Sequence, residues 1–391
     1  VGIGLNMTAW QWLKSPAQPY TWGFIGRVVL KTALLFGLAN LLFAWAQPIP
    51  TLGRLTWYNT FINGRERLPY GENAALAYNL SLNDLNAMFA SHAISGGKAE
   101  DEFRVVLLGD SATWGFLLTA EDTLAGQLNR AGYQTADGQN VRVYNLGYPT
   151  MSLTKDLLLL ERALDYDPDL MIWLVTLESF PRAEQLESPL AANSRAAVLD
   201  LTERFGLILP LDALIPAPDF WGNTLVGQRR ALADWLRLQV YGLAWQTTGI
   251  DQAIPESYTL RQSDFDEDVS WHGLDGPPTI PDDYLAWDVL EAGMALADSI
   301  PMVLVNEPMF ISTGQNSDLR YNFFYPRWVY DAYREDLATR AEAANWHYLD
   351  LWDSIAPDEF TDSPVHMTPA GTRQLADLLA PVILQAAEAR P

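Results

Sequence analysis

Five short apolar runs, separated by stretches with helical patterning, constrain the fold of this chain more than any other feature. They are RVVLLG at 104–109, VRVYNLG at 141–147, DLMIWLVT at 169–176, PMVLVNEP at 301–308 and WHYLDLW at 346–352. Between them lie AEDTLAGQLNRAG, SLTKDLLLLERALDY, YLAWDVLEAGMALADS and YDAYREDLATRAEAAN, whose apolar residues recur at helical spacing. Runs this short and this uniformly apolar suit strands buried on both faces, and intervening helices are the connections a parallel sheet requires. Ligands of such sheets sit beyond the carboxyl ends of the strands. Those ends carry Gly109-Asp110-Ser111, Gly147, Thr176 to Ser179, Asn306-Glu307 and Asp350, so polar residues gather where a site belongs. Ser152 is placed to cap one helix, and Thr368 to cap a last one that Pro369 begins.

Upstream, Val28 to Ala46 reads VVLKTALLFGLANLLFAWA, uncharged after Lys31 until Arg54. That length crosses a hydrocarbon core of ~30 Å, with Lys31 close enough to the end to snorkel. Trp22 on one side, and Trp45 and Trp57 on the other, suit the two interfaces. Lys14, Arg27 and Lys31 favour a cytoplasmic N-terminus, against which stand Arg54, Arg65 and Arg67 on the far side. A signal peptide ending at Ala44-Trp45-Ala46 and a buried helix of a soluble protein are the competing readings. The organisation expected is a cytoplasmic or interfacial segment over 1–23, a transmembrane helix over 24–46, a stalk over 47–100 and an α/β body over 101–391. An insertion at about 181–285 interrupts that body where the alternation of runs and helices breaks, and it is placed to fold over the strand ends as a lid or docking surface.

Net charge is −23, and the first acidic residue is Glu66. Only Lys14, Arg27, Lys31, Arg54 and Arg65 are charged before it, so subtracting those five leaves −28 on residues 66–391. Such a body repels phosphate backbones, and no basic patch supports nucleic-acid binding. The chain has no cysteine, which excludes disulfides and Cys-ligated zinc. Asp264, Asp266 and Asp268 have the spacing that opens an EF-hand, but Val269 and Asp275 replace its glycine and terminal glutamate, leaving a solvated acidic loop.

A serine at the first strand end raises the question of its base, and the chain offers four histidines. His347 lies inside an apolar run and reads as a core residue, while His92 and His272 have no sequence neighbours that suggest chemistry. His366 differs. It sits with Asp362 in the loop before the last helix, from which both reach the strand-end face. Imidazole can take the Ser111 proton during attack on an acyl carbon, and the carboxylate fixes the tautomer and stabilises the imidazolium. Glu307 could position a substrate hydroxyl or simply turn the chain before Pro308, and Asn306, Arg320, Tyr321 and Asn322 are further candidates for a pocket.

These residues carry a resemblance. LLGDSATWG resembles block I of the SGNH (GDSL-type) hydrolases, and DSPVHMTPAG resembles their block V. NLGYPTMS is similar to block II, and WLVTLESF falls where block III belongs. The resemblance covers roughly residues 103–180 and 300–390. It implies a three-layer α/β/α flavodoxin-like fold and attack on esters, usually acyl groups on sugars or lipids. By position it makes Ser111, His366 and Asp362 the catalytic residues, with oxyanion contacts from Ser111, Gly147, Thr150 and the block III residue. The chain departs from the pattern at three places. Asp362 stands four before His366, where the family has three. Thr150 takes the place of the block II glycine, with Gly147 nearby. Glu178 replaces the block III Asn, so a donor there must come from the Thr176 hydroxyl or from a protonated Glu178.

The expectation is a membrane-anchored, extracytoplasmic esterase or acyltransferase acting on cell-envelope glycans or glycolipids. It needs no metal or organic cofactor. Its partners are the membrane and, by analogy, a membrane-bound O-acyltransferase. A catalytically weak or inactive scaffold subunit of the same fold is the alternative, motivated by Glu178 and the insertion.

Overall fold

A computed structural model describes residues 21–70, 82–249, 254–277, 280–297 and 300–389. Most of the segment expected to lie at the cytoplasmic surface, 1–23, falls outside them. Five strands form the sheet: β1 (Glu102–Leu108), β2 (Asn140–Asn145), β3 (Leu170–Val175), β4 (Met302–Asn306) and β5 (His347–Asp350). The eight helices of eight or more described residues are α1 (Trp22–Ala46), α2 (Leu124–Ala131), α3 (Leu153–Ala163), α4 (Arg195–Phe205), α5 (Arg229–Thr248), α6 (Trp287–Leu296), α7 (Arg327–Ala343) and α8 (Pro369–Glu388).

Strand order is β2-β1-β3-β4-β5, and every pairing is parallel. All residues of β1, β3 and β4 are buried, which is why their sequences read as continuous apolar runs rather than alternating ones. Alternate side chains enter two separate cores. Val106, Leu108, Met171, Trp173 and Leu304 pack with α3, α6 and α7. Val105, Leu107, Ile172, Leu174 and Val303 pack with α2 and α8. The body is therefore three layers, helices on both faces of the sheet. Between β1 and β3 the strand order reverses, opening a crevice at their carboxyl ends.

Caps set the helix starts. Ser152 accepts from the Lys155 amide at 3.1 Å and begins α3, and Thr368 accepts from the Gly371 amide at 3.1 Å ahead of Pro369 and α8. Every residue from Leu153 to Leu160 is buried, because α3 lies between the sheet and helices α4 and α6. His347 departs from expectation: it is exposed, because β5 is the last strand of the sheet and only partly covered.

Within the segment 47–100, residues 58–70 and 82–96 depart from the stalk expected there. Tyr58, Leu68, Met88, Phe89 and Ile94 are fully buried in the same core as Val106 and Trp173. The ends of the insertion are tied together, since Pro181 bridges Leu285 and the Ala286 amide donates to Phe180 O at 2.8 Å.

By contacts the chain divides into two compact units, Val1–Pro48 with Pro218–Leu232, and Ile49–Ala217 with Ala233–Pro391. In the first, α1 is 25 residues long and apolar enough to cross a membrane, with few of its residues buried.

Candidate active site

The chain leaves β1 through Gly109 at φ +156°, where a Cβ would collide with Thr113 Oγ1. Asp110 then caps the one-turn helix Ser111–Trp114, its Oδ1 accepting from the Ala112 amide at 2.8 Å. Gly115 ends the turn at φ +88°. Two neighbours hold it from outside. After β2, Gly147 approaches so closely that a Cβ would sit 2.5 Å from the Trp114 nitrogen, and Asn145 Nδ2 donates to Thr113 O at 2.9 Å. From the earlier segment, the Arg67 guanidinium lies 4.2 Å from the Trp114 ring centroid and donates to Gly115 O at 2.9 Å. Ser111 is thus presented on a fixed turn at the crevice.

His366 arrives from the loop before α8. Its Nε2 lies 2.7 Å from Ser111 Oγ, and its Nδ1 lies 2.9 Å from Asp362 Oδ1. With the ring proton on Nδ1, that nitrogen donates to the carboxylate, and Nε2 accepts the serine hydroxyl. The loop is pinned by a Phe360–Met367 bridge, and Thr361 bonds His366 O through both its amide and its hydroxyl. Phe116 stacks on the imidazole at 4.9 Å. Arg261, from the insertion, donates to the Asp362 carbonyl. Partial burial works to raise the Asp362 carboxyl, but hydrogen bonds from His366 and Thr361 outweigh it and hold the group below its ordinary value. The extra residue between Asp362 and His366 does not stop them meeting.

The expected oxyanion groups fare differently. No described residue accepts from the Ser111 amide, which stands at the start of its short helix. The Gly147 amide donates to Asn145 Oδ1 at 3.0 Å, and the Thr150 amide to Tyr148 O at 2.7 Å. The Thr176 hydroxyl bonds the Tyr325 hydroxyl at 2.7 Å, and that oxygen also accepts from the Glu178 amide. Glu178 Oε1 lies 2.6 Å from His272 Nε2, while His272 Nδ1 lies 2.6 Å from Glu184 Oε1. The hydrogen bond to Glu178 leads in raising the His272 pKa, aided by the charges of both glutamates. Glu178 Oε1 is therefore engaged by His272, while its Oε2 is buried without a hydrogen-bond partner. The sequence hid His272's role because Glu178 is 94 positions away.

Beneath Ser111 lies a buried charged group. Lys155, fully buried on α3, donates to Gly109 O at 2.7 Å, to Tyr148 O at 3.2 Å and to Asp156 Oδ1 at 2.5 Å. Its three N–H groups are then spent. Asp110 Oδ2 and Glu307 Oε1 are both buried without a hydrogen-bond partner. Burial, reinforced by the charges of Asp110 and Asp156, pushes the Glu307 carboxyl well above its usual value.

Apart from Glu307, the residues expected to contact substrate make hydrogen bonds within the protein. Asn306 is fully buried and donates to Asp350 Oδ1 at 2.8 Å, while Tyr333 donates to its oxygen. Arg320 is buried and donates to the carbonyls of Asn322, Phe323 and Asp268. Tyr321 donates to Asp331 Oδ1 at 2.8 Å, and Asn322 to Phe310 O at 2.9 Å. These four side chains take part in the protein's own hydrogen bonding, whereas Glu307 Oε1 has no partner. Among the described residues, no group of three or more His, Asp or Glu is arranged to hold a metal.

No family model matches the sequence, and no curated protein matches it. Among solved structures, the chain is similar to a protein assigned to the G-D-S-L lipolytic family from Desulfitobacterium hafniense DCB-2. That match has 13% identity and a TM-score of 0.33, covering 72% of this chain and 99% of that one. It is also similar to a carbohydrate acetylesterase family member from Sinorhizobium meliloti (13% identity, TM-score 0.33, 73% and 99% covered). A third is an aryl esterase from M. smegmatis (13% identity, TM-score 0.33, 72% and 99% covered). Likeness this low carries no inference about activity.

Proposed function

We propose that the protein is a serine ester hydrolase or O-acyltransferase, with Ser111 as nucleophile, His366 as general base and then acid, and Asp362 as the orienting carboxylate. The carrying observation is the unbroken hydrogen-bond chain Ser111 Oγ–His366–Asp362, assembled from residues 255 positions apart. In the first half-reaction, Ser111 Oγ attacks the ester carbonyl as its proton passes to His366 Nε2. Collapse of the tetrahedral intermediate returns that proton to the leaving alcohol. Water or a second alcohol then repeats the sequence against the acyl-serine, giving hydrolysis or transfer. The Ser111 amide is the backbone donor free for the developing oxyanion. Losing one such donor costs about 10²–10³ in rate, so with the Gly147 and Thr150 amides engaged this resting arrangement favours a modest rate. The same engagement is the observation that favours the alternative, a weak or inactive scaffold subunit.

By this reading α1 is a membrane anchor and the α/β body is extracytoplasmic. Acyl esters of cell-envelope glycans or glycolipids are then the substrate class within reach of a tethered site. The test is covalent labelling by a fluorophosphonate, together with hydrolysis of p-nitrophenyl acetate. Labelling at Ser111, with both signals abolished in Ser111→Ala, is expected. A folded protein that neither labels nor hydrolyses sinks the enzyme reading in favour of the scaffold.

A further inference from the structure

A tight loop in the insertion exposes a pair of large aromatic side chains. Phe220 and Trp221 are 48% and 69% exposed, and their rings meet edge to face at 5.5 Å. Val226, also exposed, lies five residues on. Several of the loop's polar groups are satisfied within it. Asp219 accepts from the Gly222 amide at 2.6 Å and from the Asn223 amide at 3.0 Å. Asn223 Nδ2 donates to Pro218 O, and Thr224 Oγ1 donates to Trp221 O while accepting from the Gly227 amide. Gln228 Nε2 donates to Gly222 O at 3.2 Å, and Gly227 packs so near Gly222 that a Cβ would collide with that carbonyl.

One amide points outward. Val226 N–H donates at 3.1 Å to Asn40 Oδ1 of α1, in the same compact unit, and Asn40 Nδ2 donates to Phe36 O. Asn40 stands six residues before Ala46, the last residue of α1, or about 9 Å along the helix axis. Irregular backbone exposed to lipid is excluded from the hydrocarbon core, where no water can satisfy it, so a loop of this kind belongs at the headgroup boundary rather than deeper. Trp and Phe favour the boundary between headgroups and acyl chains, about 5–10 Å deep. Arg229 and Arg230 follow directly, as suits a surface of lipid phosphates.

We propose that residues 218–228 form a second membrane contact, seating Phe220, Trp221 and Val226 in the headgroup–acyl boundary beside the last two turns of α1, with bilayer lipid as the partner. This rests on the reading of α1 as a membrane span. Lipid is favoured over a protein partner because the exposed aromatic pair is continuous, through Asn40, with a helix of membrane-crossing length that is itself exposed.

The chain has no native cysteine, so single labels are clean. Leu34→Cys in α1, Trp221→Cys in the loop and Ile208→Cys in the other unit all replace exposed residues, so folding is not at stake. Each variant is spin-labelled and placed in phosphatidylcholine–phosphatidylglycerol liposomes. Its accessibility to oxygen, which concentrates in lipid, is compared with that to a water-soluble nickel chelate. The expected oxygen-to-nickel ratio is several-fold higher at 34 and 221 than at 208, and Asn40→Leu lowers it at 221. A lipid reading at 34 with an aqueous one at 221 overturns the proposal and leaves the anchor standing. Aqueous readings at both overturn the two together. A label at 221 shielded from both reagents assigns the loop to a protein partner and overturns the lipid assignment.

Discussion

Ser111, His366 and Asp362 could be read from sequence because each carries a local signal. An apolar run stops at a Gly-Asp-Ser turn, and a Thr-Pro helix start follows an Asp–His loop. Asn306, Glu307, Arg320, Tyr321 and Asn322 carry no such signal. A polar residue at a strand end looks the same whether it faces substrate or completes the protein's own bonding. The difference lies in partners distant in sequence, such as Asp350 for Asn306. Glu307 is the sharpest case. Lys155 has no N–H left for it, and burial with neighbouring carboxylates favours its neutral acid. A neutral acid is mimicked by an amide. Glu307→Gln should therefore unfold in urea within about 1 kcal/mol of wild type, while Glu307→Ala, which leaves a cavity, loses about 1–3 kcal/mol. Equal losses in the two variants would mean that Glu307 is ionised.

At the scale of elements, the five strands and the helices between them follow from uniform apolar runs and capping residues, and the three-layer arrangement follows from the runs being buried on both faces. The segment before β1 was not legible. Its Asn, Ala and Gly content suggests a stalk, yet Tyr58, Leu68, Met88 and Phe89 from it fill the core. Nor does sequence pattern show that the insertion reaches back to the end of β3. His272 makes that contact, facing Glu178 and Glu184 while Tyr284 donates to its carbonyl. Its pKa is raised in the folded state, so the stabilisation it gives is complete below the unfolded value of about 6.5 and fades as pH rises through the folded value. Amide hydrogen exchange over 268–284, corrected for the intrinsic pH dependence, should show protection falling from pH 6 to pH 9 in the wild type. In His272→Gln it should be low and flat. A wild-type profile as flat as the variant's would exclude the imidazolium as the tie.

For the whole molecule, charge and apolarity are segregated along the chain, and on the proposed reading of α1 as an anchor that segregation bears on how the chain would meet a membrane. Residues after Arg65 carry −28 of the −23 total, offset by five basic residues before them, so the body is repelled by anionic lipid. Attachment by surface charge is thus disfavoured, and the 25 residues of α1 are left to supply it by apolar burial. The two mechanisms respond oppositely to solvent. Electrostatic adhesion is released by salt, whereas a spanning helix resists both salt and alkaline carbonate, which open vesicles without removing integral proteins. The wild type should stay with the membrane pellet under both treatments. Leu35→Arg with Leu38→Arg places two cations mid-helix at about 2.5–3.5 kcal/mol each on the insertion scale, enough to reverse insertion. Both leucines are exposed, so no protein packing is lost. The double variant should move to the carbonate supernatant with its fluorophosphonate labelling at Ser111 intact. Release of the wild type by salt alone would show that the apolar helix is not what holds it.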